Sequence, residues 1–246
     1  MFVAASSVIT GLFKEFIVLF SIIIVHEIGH VLAALYYRFN IYKIYLYPFG
    51  GYIKFNDKLN RALKEEFVVL ICGPLLQIGY YLLLSFLHNI GLIQVNTFNM
   101  IVNYHYSLLF FNLLPIFPLD GSKLINIIMS KFISFKQSHL IMLYISYAVL
   151  FLSLFSTRYI SLNVNIYLLL ILLFTKLITE GKNHKTIFNR FLLERYLYKF
   201  NFKKTKIIKG QKLFRMMRDK KHLFLVDNKE VTEKEMLRKR YGNRSN

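Results

Sequence analysis

Two histidines four residues apart, with a glutamate beside the first, carry the most reactive chemistry in this 246-residue chain: His26-Glu27-Ile28-Gly29-His30. Four residues of α-helix turn the chain by about 400°, so His26 and His30 share one face and can both ligate a single zinc ion. Glu27 projects next to them, where a carboxylate can take a proton from an attacking water and return it to a leaving amine. The chemistry implied is metal-assisted hydrolysis of a peptide bond. Gly29 keeps the helix slim and lets another backbone approach closely.

A catalytic zinc takes three protein ligands and keeps one position open. The third candidate is Asp120, at the end of Asn112-Leu113-Leu114-Pro115-Ile116-Phe117-Pro118-Leu119-Asp120-Gly121. Pro115 and Pro118 must unwind a helix there, which frees carbonyls and can turn Asp120 inward. Unwound backbone of this kind can also pair with an extended substrate. The competing role for Asp120 is an N-cap of the following stretch.

The elements that must position these residues are apolar. With 55% hydrophobic and 17% aromatic residues, the composition is that of a polytopic membrane protein. Five runs approach the roughly 20 residues needed to span a bilayer core: Phe16 to Tyr37, Phe67 to Leu87, Phe98 to Phe117, His139 to Ser156 and Tyr159 to Leu177. Phe2 to Leu12 is about half that length and reads as the stump of a truncated helix. The N-terminus has neither a basic n-region nor a small-residue cleavage site, so no cleaved signal peptide is expected. An ionisable His-Glu-His group at membrane depth costs a few kcal/mol per charge and marks function.

Basic residues set the expected orientation. The 38–66 connection holds six Lys/Arg and the 119–138 connection three, whereas 88–97 holds none. From Lys176 onward there are 21 Lys/Arg against 7 Asp/Glu, a net charge of +14. By the positive-inside rule the basic loops and C-terminus face the cytoplasm, and the histidines and Asp120 fall in the cytoplasmic half of the membrane. The charge comes without a nucleic-acid motif, so no direct nucleic-acid partner is expected. The lone cysteine, Cys72, reads as a small packing residue. The other histidines, His105 the most open among them, read as structural.

Ile41 to Phe55 alternates apolar and polar residues around Pro48-Phe49-Gly50-Gly51, which predicts a β-hairpin. It fits equally a hairpin dipping into the membrane against protein and one lying on the surface. The expected domains are a membrane unit, 1–178, a basic amphipathic helix, 179–200, and a small α+β tail, 201–246. In the tail the pattern predicts β-α-β-β-α, with a turn at Asp227-Asn228 and a capping box at Thr232 and Glu235. At about 45 residues such a unit is expected to pack on a partner or on a second copy of the chain.

These residues resemble the site-2 protease family of intramembrane zinc metalloproteases. The likeness is closer to its sporulation branch, the stage IV sporulation protein FB group, through Y-P-F-G-G (47–51), L-K-E-E-F (63–67), C-G-P-L-L-Q (72–77), the 112–124 segment and R-F-L-L-E-R-Y (190–196). The resemblance implies zinc ligation by His26, His30 and Asp120, with Glu27 as acid/base. It further implies substrate contacts from Asn112, Pro115, Pro118, Gly50 and Gly51, and a hairpin that re-enters the membrane. The tail would be a cystathionine-β-synthase-like (CBS) regulatory domain binding ATP, although it is shorter than a two-motif CBS domain and shows no nucleotide-binding signature. The implied substrate is a membrane-associated sigma-factor precursor of the pro-sigma-K type, in the mother-cell membrane surrounding the forespore, under inhibitory membrane partners. A general site-2 protease acting on anti-sigma factors or signal-peptide remnants needs the same residues. A metal transporter lacks the repeated halves expected of that class, and an inactive scaffold is disfavoured by four intact catalytic positions.

Overall fold

The computed structural model of the protein describes residues 13–47, 50–55, 58–156 and 164–242. Its elements are α1 (Phe13–Tyr36), β1 (Ile41–Tyr47), β2 (Gly50–Phe55), α2 (Leu63–Asn89), α3 (Val95–Leu113), α4 (Asp120–Ser130), α5 (Phe135–Ser156) and α6 (Val164–Leu197). They are followed by β3 (Lys204–Lys209), a 3-10 turn (Leu213–Arg215), β4 (Lys220–Val226), β5 (Lys229–Thr232) and α7 (Glu233–Tyr241). Among the described residues three helices are long and apolar enough to cross a membrane: α1, α2 and the Phe135–Phe155 stretch of α5. The expected spans at Phe98 to Phe117 and Tyr159 to Leu177 overlap α3, which stops at Leu113, and the first part of α6, neither of which is among these three; residues 159–163 lie outside the described residues. The Phe2 to Leu12 segment lies outside the described residues. Leu82, Phe86, Phe110, Tyr144 and Phe151 are each more than half exposed, a surface that suits lipid and not water.

By its contacts the chain divides into two compact units, one of Met1–Asp57 with Phe67–Leu114, the other of Lys58–Glu66 with Pro115–Asn246. In the first, Ile22 and Ile23 of α1 pack on Leu108 of α3, with Tyr80 and Tyr104 at the edge. Ala33 and Ala34, one turn beyond the histidines, pack on Phe39 and Val69, with half-buried Cys72 beside them. Small residues on α1 let α2 come close, as membrane helices without a hydrophobic driving force require. The hairpin is present as antiparallel β1–β2, with Tyr47 opposite Gly50 and Leu46 opposite Gly51. Both glycines are therefore strand residues. Pro48 and Phe49, expected in the turn, lie outside the described residues.

In the second unit α6 is continuous over 34 residues, about 50 Å at 1.5 Å per residue, which exceeds a hydrocarbon core of roughly 30 Å. The boundary expected between 178 and 179 falls inside this helix. Its C-terminal turns supply Phe188, Phe191 and Leu192 to a core shared with Phe135, Ile208, Met216, Phe224, Met236 and Leu237. The tail sheet has the order β3-β4-β5, parallel then antiparallel. Asp227 and Asn228, both at positive φ (49° and 58°), form the two-residue turn joining β4 to β5. The capping box is made by Thr232 and Glu235. Where the sequence predicts a helix near Leu213 to Met217, only a 3-10 turn forms. Met216 is extended, and its carbonyl accepts the Phe135 N–H at 3.0 Å, which withdraws it from any helical ladder.

Residues 58–66 belong to the tail's packing. Asn60, almost fully buried, donates to the Phe191 carbonyl (3.0 Å) and to Glu194 (3.2 Å), and accepts from Arg195. Arg195 also donates to the carbonyls of Met217 and Lys220, both at 2.8 Å, and pairs with Glu233. Asp219 accepts the Leu63 N–H at 2.9 Å, satisfying an open donor of the first turn of α2, and Arg218 pairs with Glu66.

His222 is fully buried in this network. Its Nε2 accepts the Met217 N–H at 3.0 Å, so Nδ1 carries the proton and donates to Glu233 at 3.1 Å. Burial pushes the His222 pKa below 6.5, outweighing the pull of Glu233. Burial alone would raise Glu233, but the His222 hydrogen bond and the Arg195 charge hold it below 4.5. Both groups bind protons less readily folded than unfolded, so their contribution to stability is complete above about pH 6.5 and is lost as the solution is acidified. Limited proteolysis of the tail is expected to accelerate between pH 7.5 and 5.5, and His222→Gln should flatten that dependence.

Candidate metal centre

Helix α1 buries His26, Glu27 and His30 on the face that also holds Ile22, Ile23, Gly29 and Ala33. Their ring orientations are fixed by α2. The Gln77 amide nitrogen donates to the His105 carbonyl at 3.0 Å, which turns Gln77 Oε1 toward His26 Nδ1, 2.8 Å away. An oxygen there can only accept, so His26 carries its proton on Nδ1. His30 Nδ1 likewise donates to the Val69 carbonyl at 2.8 Å. Both Nε2 atoms are therefore lone-pair faces, and they lie 3.1 Å apart. Two lone pairs held this close repel unless a cation sits against both. Nitrogens bound to one tetrahedral zinc at about 2.0–2.1 Å are separated by a comparable distance. The donor set fits zinc, and Gln77 and Val69 are the outer partners that orient metal-binding histidines.

The approach of the helices depends on glycine. A Cβ on Gly29 would overlap the Cys72 carbonyl, and a Cβ on Gly73 would overlap the His30 ring. Asn112, at the C-terminal end of α3, points its side-chain nitrogen at His26 Nε2 from 3.3 Å. His105 stacks on Tyr81 with ring centroids 4.5 Å apart. It is thus a structural partner of Gln77.

In the second unit Asp120 is the first residue of α4, buried to 7% exposure, with its carboxylate accepting from Lys123 at 2.9 Å. The N-cap position belongs to Leu119, whose side chain makes no cap hydrogen bond, so the capping role weighed for Asp120 does not apply. The positive end of α4 favours a carboxylate there. Helix α3 ends at Leu113, because Leu114 precedes a proline and is extended. Ser146 of α5 supports the unwound stretch, accepting the Phe117 N–H at 3.0 Å and lying 3.2 Å from the Pro115 carbonyl.

The histidines, Glu27, Asn112 and Asp120 are the functional candidates that the sequence offers, whereas Gln77 and Ser146 are not singled out there as partners. The signal was available: each is a polar side chain inside an apolar run, where an unpaired amide or hydroxyl is costly. Gln77→Leu removes the acceptor that holds His26 and should weaken zinc binding by about 10–100-fold, measurable by competition with a chelating dye.

Residues 14–91 match the profile of peptidase family M50. The chain is 37% identical to stage IV sporulation protein FB of Bacillus subtilis over 195 residues, covering 79% of this chain and 68% of that protein. It is 33% identical over 164 residues to a zinc metalloprotease of Methanocaldococcus jannaschii, covering 65% of this chain and 46% of that protein. Its fold is similar to the solved site-2 protease from Methanocaldococcus jannaschii, with a TM-score of 0.58 and 26% identity over 72% of this chain and 82% of that one. The histidine pair, its flanking glutamate and these likenesses agree, and the chain belongs to peptidase family M50, the site-2 protease family of zinc metalloproteases.

Proposed function

We propose that this chain is an intramembrane endopeptidase in which His26, His30 and Asp120 hold zinc and Glu27 moves the proton. The observation that carries the reading is the buried histidine pair, with both Nδ1 protons committed to α2 and both Nε2 lone pairs facing each other. Asp120 supplies the anionic third donor that this pair needs, and its burial at a helix N-terminus suits a ligand. Zinc, when bound, supplies Lewis acidity toward the scissile carbonyl and the attacking water. Glu27 accepts the proton lost by that water and delivers it to the departing amine. Asn112, beside His26, holds the substrate carbonyl in register. Gly50 and Gly51 in β2, and the backbone freed by Pro115 and Pro118, offer edges along which an unwound substrate can extend.

In this reading α3 and α6 also cross the membrane, and the positive-inside pattern turns the metal centre and the C-terminus to the cytoplasm. The tail acts as a small CBS-like regulatory unit. The substrate is a membrane-associated sigma-factor precursor, a choice supported by the 37% identity to a stage IV sporulation protein. Membrane partners hold the protease inactive until the precursor is to be cut. Co-expression with such a precursor should remove its pro-sequence, and Glu27→Gln should leave it intact. Cleavage confined to signal-peptide remnants or anti-sigma factors would instead support a general site-2 protease.

A further inference from the structure

The tail and the adjoining ends of α5 and α6 enclose a cleft of about 420 Å³ that the proteolytic reading does not use. Three cations from three separate elements line it: Lys136 at the start of α5, Lys185 on α6 and Arg240 on α7. Among the described residues no carboxylate lines it. Its apolar side is aromatic, with Phe188 buried beneath the Lys136 ammonium, 5.7 Å from the ring centroid, and Phe214 43% exposed. Gln211 adds an amide donor.

We propose that this cleft binds a phosphate-bearing anion, and specifically the headgroup of an acidic phospholipid. Convergent cations with no counter-charge call for an anion, and the volume is that of a small-molecule site. Position favours lipid over a free phosphate. Lys136 is the second residue of the 21-residue apolar stretch of α5, so the cleft opens where that helix enters the bilayer. An exposed phenylalanine beside lysines and arginine is the composition of a headgroup boundary, where the ring meets acyl chains and the cations meet phosphate. Bound there, one lipid would bridge α5, α6 and α7 and fix the tail against the membrane surface.

The test uses the full-length protein in neutral detergent, titrated with phosphatidylglycerol, phosphatidylcholine or inorganic phosphate and read by native mass spectrometry. Wild type should bind one phosphatidylglycerol saturably, and phosphatidylcholine and inorganic phosphate should neither bind nor compete. A cation near an anionic surface contributes roughly fivefold to affinity, so K136Q/K185Q/R240Q should lose on the order of a hundredfold. A control with the same charge change elsewhere on the tail, K203Q/K209Q/K229Q, should bind as wild type. Equal losses in the two triple variants would overturn the proposal, because the tail's general charge would then account for binding. Saturable inorganic phosphate binding that displaces the lipid would overturn the lipid as the ligand. Unchanged far-ultraviolet circular dichroism and elution of the cleft variant exclude misfolding as the cause of a loss.

Discussion

Glu27→Gln is expected to bring peptide-bond cleavage close to background while leaving zinc at one ion per chain. Glutamine keeps the shape of the side chain on a buried helical face that already tolerates polar groups, so α1 and the ring contacts of His26 and His30 stay in place. What is lost is a carboxylate able to accept a proton. General acid–base catalysis contributes about 10²–10⁴-fold, and here one group serves both proton transfers, so the turnover number should fall by at least roughly 10³. Cleavage of a reconstituted membrane substrate, with metal analysis of the same preparation, checks both halves. Undiminished turnover would move the proton transfer to another residue.

Gly73→Ala should be nearly as damaging by a different route, through loss of the metal. The added methyl meets three atoms of the His30 ring, and that ring is tethered by Nδ1 to the Val69 carbonyl on the same helix. Moving the ring breaks the tether. Moving α2 away breaks the close fit of Gly29 on the Cys72 carbonyl and takes Gln77 from His26. Zinc affinity is expected to drop by 100-fold or more, since a ligand and its orienting partner are both displaced. Gly79→Ala on the same helix meets nothing within 4 Å, and alanine is the better helix former by about 1 kcal/mol, so that variant should bind zinc normally. The contrast separates a steric effect at the metal from a general effect of stiffening α2.

Much of this was legible from residue types alone. Histidine and glutamate in an apolar run mark the candidate centre, because nothing but function or pairing keeps them there. Two prolines before Asp120 predicted the end of α3, and Asp227-Asn228 and Thr232 to Glu235 predicted the tail's turn and cap, all from local backbone chemistry. What escaped was non-local. Nothing in Asn60 announces partners more than 130 residues away on α6, and nothing near Met216 shows that Phe135 will claim its carbonyl. The helix expected at 213–217 failed for that reason. The small tail calls for outside support, expected from a partner or a second copy; its core includes Phe135 and the last turns of α6, which no periodicity within 201–246 can reveal.

Ligation of zinc by His26, His30 and Asp120 is tested by the zinc content and zinc K-edge absorption of the purified full-length protein, wild type against His30→Ala and Asp120→Ala. One zinc per chain is expected in the wild type, coordinated by two imidazoles and carboxylate oxygen, and less than about a tenth of that occupancy in either variant. Full occupancy with an unchanged spectrum in Asp120→Ala would contradict this ligation.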